Sequence, residues 1–204
     1  MFAAESPGTM TTHPHPSRPS PWIVRHLPLA QPCVTALDVA TGSGRHARLA
    51  HGLGYSVTAL DRDLFRVADL ANIPDITLLQ ADLEDGSPWP LPGQTFNAVI
   101  VTNYLHRPIL PAIIAAVAPD GLLLYETFAQ GNERFGRPSN PNFLLRPGEL
   151  LEAVRGRLTP VAYEHVTLSS PPGTPVAIVQ RIAAAGPNHP WLRSPPPPAF
   201  GETQ

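Results

Sequence analysis

Lysine is missing from this chain: its 14 basic residues are all arginine. Without lysine there is no Schiff base to form and no lysine clamp for a phosphate. Cysteine occurs once, as Cys33, so neither an internal disulfide nor a cysteine-rich zinc site can be assembled from the chain itself. A membrane span needs roughly 20 consecutive apolar residues, and no stretch approaches that. A secretion signal opens with a basic segment and an apolar run, whereas this N-terminus has Glu5 among prolines. An excess of positive charge is lacking too, since the formal net charge is −2 over 204 residues. A nucleic-acid or anionic-membrane surface would show as a basic stripe. The expectation is a soluble, cytoplasmic protein with neither nucleic acid nor membrane as partner and with no metal site.

Proline, by contrast, is plentiful, with 27 residues. Residues 1–19 and 186–204 combine proline with polar residues and show no apolar periodicity, so both read as disordered tails. His13 and His15 in the first, and Pro195 to Pro198 in the second, read as plain tail residues. Between the tails, residues 20–185 form one domain. A chain of this length buries roughly 70% of its unfolded surface, enough for a core.

The most informative stretch is Ala36-Leu-Asp-Val-Ala-Thr-Gly-Ser-Gly-Arg-His-Ala-Arg-Leu-Ala50. A short apolar run ending on Asp38 feeds a turn with glycine at 42 and 44, and a helical pattern follows. Such a turn lets a ligand approach the main chain closely. Gly42-x-Gly44-x-x-Ala47 also satisfies the loose dinucleotide fingerprint. Asp38 argues against that ligand, because a carboxylate there repels a pyrophosphate at short range and attracts an amine. Two more apolar runs end on acids. Ser56 to Leu60 closes on Asp61, 19 positions after Gly42, where a carboxylate accepts from ribose hydroxyls. Ile76 to Ala81 closes on Asp82.

The pattern Leu-Asp-Val-Ala-Thr-Gly-Ser-Gly, with the three acids at strand ends, resembles the class I S-adenosylmethionine-dependent methyltransferases. Asn103-Tyr-Leu-His-Arg107, Tyr125-Glu-Thr-Phe128 and Phe143-Leu-Leu-Arg-Pro-Gly-Glu-Leu150 look like bacterial small-molecule members similar to the tellurite-resistance group. The resemblance implies an α/β fold, a Rossmann-like three-layer sandwich with a mostly parallel seven-stranded sheet and a terminal antiparallel strand. It implies S-adenosyl-L-methionine as cofactor, with Asp38 and the amides of Gly42 and Gly44 at its methionine portion, Asp61 at the ribose, Asp82 and Leu83 at the adenine, and Ala40, Arg62 and Asn103 as further cofactor contacts. The family usually has glycine where Ala40 stands and aspartate where Asn97 stands.

Residues after the fourth and fifth strands overlook the reactive end of the donor, because ligands of open parallel sheets bind outside the carboxyl ends of strands. His106 is the candidate general base, with a reference pKa of about 6.5, and Tyr104 the candidate wall of the transfer chamber. Tyr125, Glu126, Arg134 and Arg137 are the candidate contacts to a small-molecule acceptor. The arginines of the long segment 127–146, which reads as a lid or substrate-binding segment, suit a small anionic or polar acceptor. A nicotinamide-dependent oxidoreductase and a non-catalytic S-adenosylmethionine-binding protein are the alternatives.

Overall fold

A computed structural model describes residues 18–28, 34–170 and 173–195. The expectations for His13, His15, Cys33 and the prolines beyond Pro195 fall outside these. Eleven regular elements follow in order: α1 (Pro21–His26), β1 (Thr35–Val39), α2 (Arg45–Gly52), β2 (Ser56–Asp61), β3 (Ile76–Gln80), β4 (Phe96–Thr102), α3 (Leu110–Ala115), β5 (Val117–Phe128), α4 (Glu149–Val154), β6 (Thr159–Ser170) and β7 (Thr174–Ala185). They build one seven-stranded sheet in the order β3-β2-β1-β4-β5-β7-β6. The first five strands run parallel, and β7 pairs antiparallel with both β5 and β6. This is the expected Rossmann-like sandwich, with the hairpin at its edge. No helix among the described residues is long and apolar enough to cross a membrane.

The central strands are apolar on both faces because both are covered, as parallel strands require. On β5, Leu122 and Leu124 enter the core under α1 and α2, while Leu123 and Tyr125 enter the core under α3 and α4. Ser20 caps α1, its hydroxyl accepting from Trp22 N at 3.1 Å and donating to Glu126 at 2.8 Å. The helix is thereby pinned to β5.

Between β2 and β3 the chain runs as a 3-10 stretch, Phe65–Leu70, and after Pro147 as the short α4. The turn at Pro119-Asp120-Gly121 lies inside β5, looped out where the register shifts between Phe96 and Ala98. Asn97 explains the loop: its side chain accepts from Thr35 N at 3.0 Å and donates to Asp120 at 3.3 Å. An aspartate there would face Asp120 with like charge. Residues 186–195 follow β7 alongside β5. Gly186 N donates to Gly121 O and Asn188 N to Pro119 O, both at 2.8 Å, so this stretch packs on the β5 bulge.

Candidate active site

The strand β1 delivers Asp38 and the chain then turns through Ala40 to Gly44 into α2. Two of these residues take left-handed backbone, Gly42 at φ +58° and Gly44 at φ +73°, and Ala40 does so without being glycine, at φ +54°. Asp38 is fully buried under the turn, where Oδ2 accepts from the Thr41 hydroxyl and from Ala47 N. It thus ties the turn to the first turn of α2 from beneath rather than standing at a cavity wall. Burial pushes its carboxyl up to about 6, against the pull of the Thr41 and Ala47 bonds.

That shift has a sign that can be tested. The folded state holds this proton more tightly than the unfolded chain, so the stability it contributes is complete below about pH 4 and lost as pH rises through about 6. Asp38→Asn keeps an oxygen for both hydrogen bonds and removes the charge. Equilibrium urea unfolding is expected to show it more stable than wild type by about 2 kcal/mol at pH 8 and equal to it at pH 4. Lower stability at both values would mean that the ionised carboxylate is what holds the turn.

Asp61 ends β2 half-exposed beside the turn. Its Oδ2 accepts from Gly42 N at 2.8 Å and its Oδ1 from Asp63 N at 3.0 Å, which fixes the carboxylate while leaving a lone pair on each oxygen. Beyond it opens a cavity of about 370 Å³. Ala40, Asp61, Arg62, Asp82 and Leu83, five of the residues assigned to the cofactor from sequence, line it together with Tyr104. Glu84 lines it as well, and Phe143 reaches it from the segment 127–146. Three of these side chains are acidic and one basic. The Tyr104 hydroxyl is buried beside the Glu84 carboxylate and makes no well-aligned hydrogen bond among the described residues. Burial, with the charge of Glu84 and its hold on the proton, raises its pKa, so it stays a donor.

Other expected contacts lie elsewhere. Tyr125 is buried in the core, its hydroxyl donating to Tyr104 O at 2.9 Å, so it shapes the Tyr104 loop from behind and does not line the cavity. Glu126 is buried on the opposite face, held by Ser20 and by Arg181 at 3.3 Å, and belongs to the anchor of α1. Arg134 and Arg137 are exposed on the lid away from the cavity wall, Arg134 bonding back to Gly131 O at 3.2 Å. Gly42 is exposed at the turn, and Asn103, at φ +55°, is exposed where β4 ends. His106 is half-buried just beyond Tyr104 and is not part of the cavity wall.

One buried histidine joins the turn to α1. His46 Nε2 accepts from Ser20 N at 3.0 Å, so Nδ1 carries the proton toward Thr102 Oγ1 at 3.2 Å. Burial, with the Arg45 charge, pushes its pKa down to about 3 and keeps it neutral. This joint spans 26 positions from Ser20 to His46 and has no local signature in the sequence.

The other missed pair is Arg107 with Glu149. Arg107 donates to both carboxylate oxygens, Nε to Oε1 at 2.7 Å and Nη2 to Oε2 at 3.0 Å. Burial alone would raise the Glu149 pKa, but the Arg107 and Arg146 bonds hold it below the usual value. The signal was present as two charged residues in the patterns Asn103 to Arg107 and Phe143 to Leu150, with nothing to say they meet.

No protein-family model and no curated protein sequence matches the chain. Among solved structures it is similar to TehB from Haemophilus influenzae, at 19% identity and a TM-score of 0.57 over 75% of this chain. It spans 57% of the length of TehB. It is also similar to a 1,6-didemethyltoxoflavin-N1-methyltransferase from Burkholderia thailandensis solved with S-adenosylhomocysteine, at 20% identity and a TM-score of 0.57 over 81% of this chain and 76% of that one. The [4+2]-cyclase SpnF aligns at 14% identity with a TM-score of 0.61 over 81% of this chain and 78% of that one. The chain therefore has the fold of S-adenosylmethionine-dependent methyltransferases.

Proposed function

We propose that this chain binds S-adenosyl-L-methionine and directs its methyl group to a small-molecule acceptor. The observation that carries the reading is the charge of the cavity: Asp61, Asp82 and Glu84 stand against Arg62 alone. An acidic wall attracts a sulfonium and an ammonium and repels a pyrophosphate, which favours the methyl donor over a nicotinamide dinucleotide. The buried Tyr104 hydroxyl supports it: with only a poorly aligned approach to Glu84, it is a donor that a ligand can satisfy better. The neighbours of the same fold that are methyltransferases support it further.

In this reading Asp61 accepts from the ribose hydroxyls and Asp82, with the main chain of Leu83, meets the adenine. The turn from Ala40 to Gly44 and the Asn103 backbone lie toward the methionine portion as a surface rather than as N–H donors, because Gly42 N is taken by Asp61, Gly44 N by Thr41 O and Asn103 N by Glu126 O, with Asp38 bracing the turn from below. The bound donor supplies an electrophilic methyl carbon on a sulfonium. The chain's share is alignment: it holds the acceptor's lone pair in line with that carbon and keeps water away, and positioning of this kind carries much of the rate. Tyr104 orients ligand through its hydroxyl, whereas His106, off the cavity wall, has no proton-transfer step, and a proton that an acceptor loses on methylation passes to water. Because the cavity is acidic and Arg134 and Arg137 lie outside it, a neutral nucleophile fits better than the anionic acceptor expected from sequence.

Calorimetric titration of the purified chain with S-adenosylmethionine, S-adenosylhomocysteine and NADH tests the reading. Micromolar binding of the two adenosyl ligands with none of NADH is the expected result. Binding of NADH alone would replace the donor with a dinucleotide. Given adenosyl binding, a labelled-methyl screen of neutral nitrogen, oxygen and sulfur nucleophiles addresses the acceptor.

A further inference from the structure

We infer that Arg107 is a positioning residue for the donor cavity, acting only through Phe143, which it holds as a lid at the cavity's edge. The inference rests on the reading of that cavity as the donor site.

The geometry is specific. Besides its paired bonds to Glu149, Arg107 donates from Nη1 to Asn142 O at 2.8 Å and from Nη2 to Leu144 O at 2.9 Å. These carbonyls flank Phe143 on both sides. A planar guanidinium offers five donors in a fixed fork, and here the fork grips a carboxylate and two main-chain oxygens at once. Glu149 is itself held, buried, by Arg146 N at 2.7 Å. Leu144 and Leu145 are buried, and Leu145 N donates to Phe128 O at 2.9 Å, so the segment is tied to the sheet on its far side. Phe143 is 45% exposed, although its neighbours 144 and 145 are buried and it lines the cavity. An aromatic ring left half in water while its backbone is fastened at both flanks is placed to be covered by a ligand. Arg107 does not reach the cavity. It stands three residues beyond Tyr104 on the loop that walls the other side, so one side chain joins the two walls.

The test is a double-mutant cycle on S-adenosylhomocysteine affinity, with hydrogen exchange of the lid measured without ligand. Phe143→Ala is expected to weaken binding about tenfold, the worth of partly burying one ring, without lowering the melting temperature. Arg107→Ala leaves the buried Glu149 unpaired, so Arg107→Lys, which keeps the charge pair but cannot span both carbonyls, is run beside it. Each arginine variant is expected to weaken binding by a similar factor and to speed exchange at residues 143–145. Added to Phe143→Ala, Arg107→Lys is expected to weaken binding no further. Losses that multiply in the double variant, or wild-type affinity in Arg107→Lys with faster exchange, would overturn the inference while wild-type binding keeps the donor reading intact. A wild-type chain that binds no S-adenosylhomocysteine would overturn the donor reading, and the inference with it.

Discussion

Asp61→Ala is expected to weaken S-adenosylhomocysteine binding by about 100-fold, which is about 2.7 kcal/mol. The estimate follows from the carboxylate's position. Each of its oxygens already accepts one backbone N–H, from Gly42 or Asp63, and has one lone pair left toward the cavity. A hydrogen bond to a charged group contributes about 1.5–3 kcal/mol, and two ribose hydroxyls offer two. Loss of the bond to Gly42 N also frees the turn that faces the methionine portion, adding to the effect on the ligand. Stability should fall by only about 1 kcal/mol, because both N–H groups lie near the surface and water can replace their partner. Asp61→Asn retains an acceptor but no charge and should weaken binding about tenfold. Calorimetry on the three proteins checks the order, and affinity unchanged in Asp61→Ala would remove the ribose assignment.

A second large effect is expected on the fold rather than on the ligand. Gly44→Ala should destabilise the chain by about 3 kcal/mol. Its backbone lies at φ +73°, where an L side chain costs roughly 1–2 kcal/mol. A Cβ there would also sit 2.6 Å from Val67 Cγ1 and 3.3 Å from Leu70 Cδ1, both in the closed core under the 3-10 stretch. Overpacking of that kind costs about 1–3 kcal/mol more. Four residues earlier the sign reverses. Ala40 holds φ +54° with its Cβ in place, so Ala40→Gly relieves the strain and should gain about 0.5 kcal/mol after the added unfolded-state entropy. Thermal unfolding is expected to show a drop of about 6–12 °C for Gly44→Ala and a rise of about 1–2 °C for Ala40→Gly. A neutral Gly44→Ala would mean that the 3-10 stretch can move away at little cost.

The acid at the end of each early strand was legible in the chain because the pattern is local. A run of alternating or apolar residues fixes where a parallel strand stops, and the ends of such strands gather at one edge of the sheet. Asp61 and Asp82 reached the cavity on that logic, and Leu83 and Arg62 came with them. The glycine turn was legible for the same reason, since it must occur between a strand and the helix that covers it.

What residues at those ends face was decided by tertiary structure. Asp38 and Asp61 follow similar apolar runs, yet the turn closes over the first and leaves the second at the rim, and only the fold determines which is desolvated. Tyr125 and Glu126 point to opposite faces of β5, as period two demands. Sequence cannot show that helices cover both faces, one with the α3 and α4 core and the other with α1. Arg134 and Arg137 had the right chemistry in a lid, but Phe143 is the lid residue that lines the cavity. The clamp between Arg107 and Glu149 spans 42 positions. Local propensity acts over a few residues and carries no information about a contact at that distance. The chain by itself therefore determined the fold and the edge of the sheet where the cavity opens, while the packing of loops over that edge decided which side chains line it.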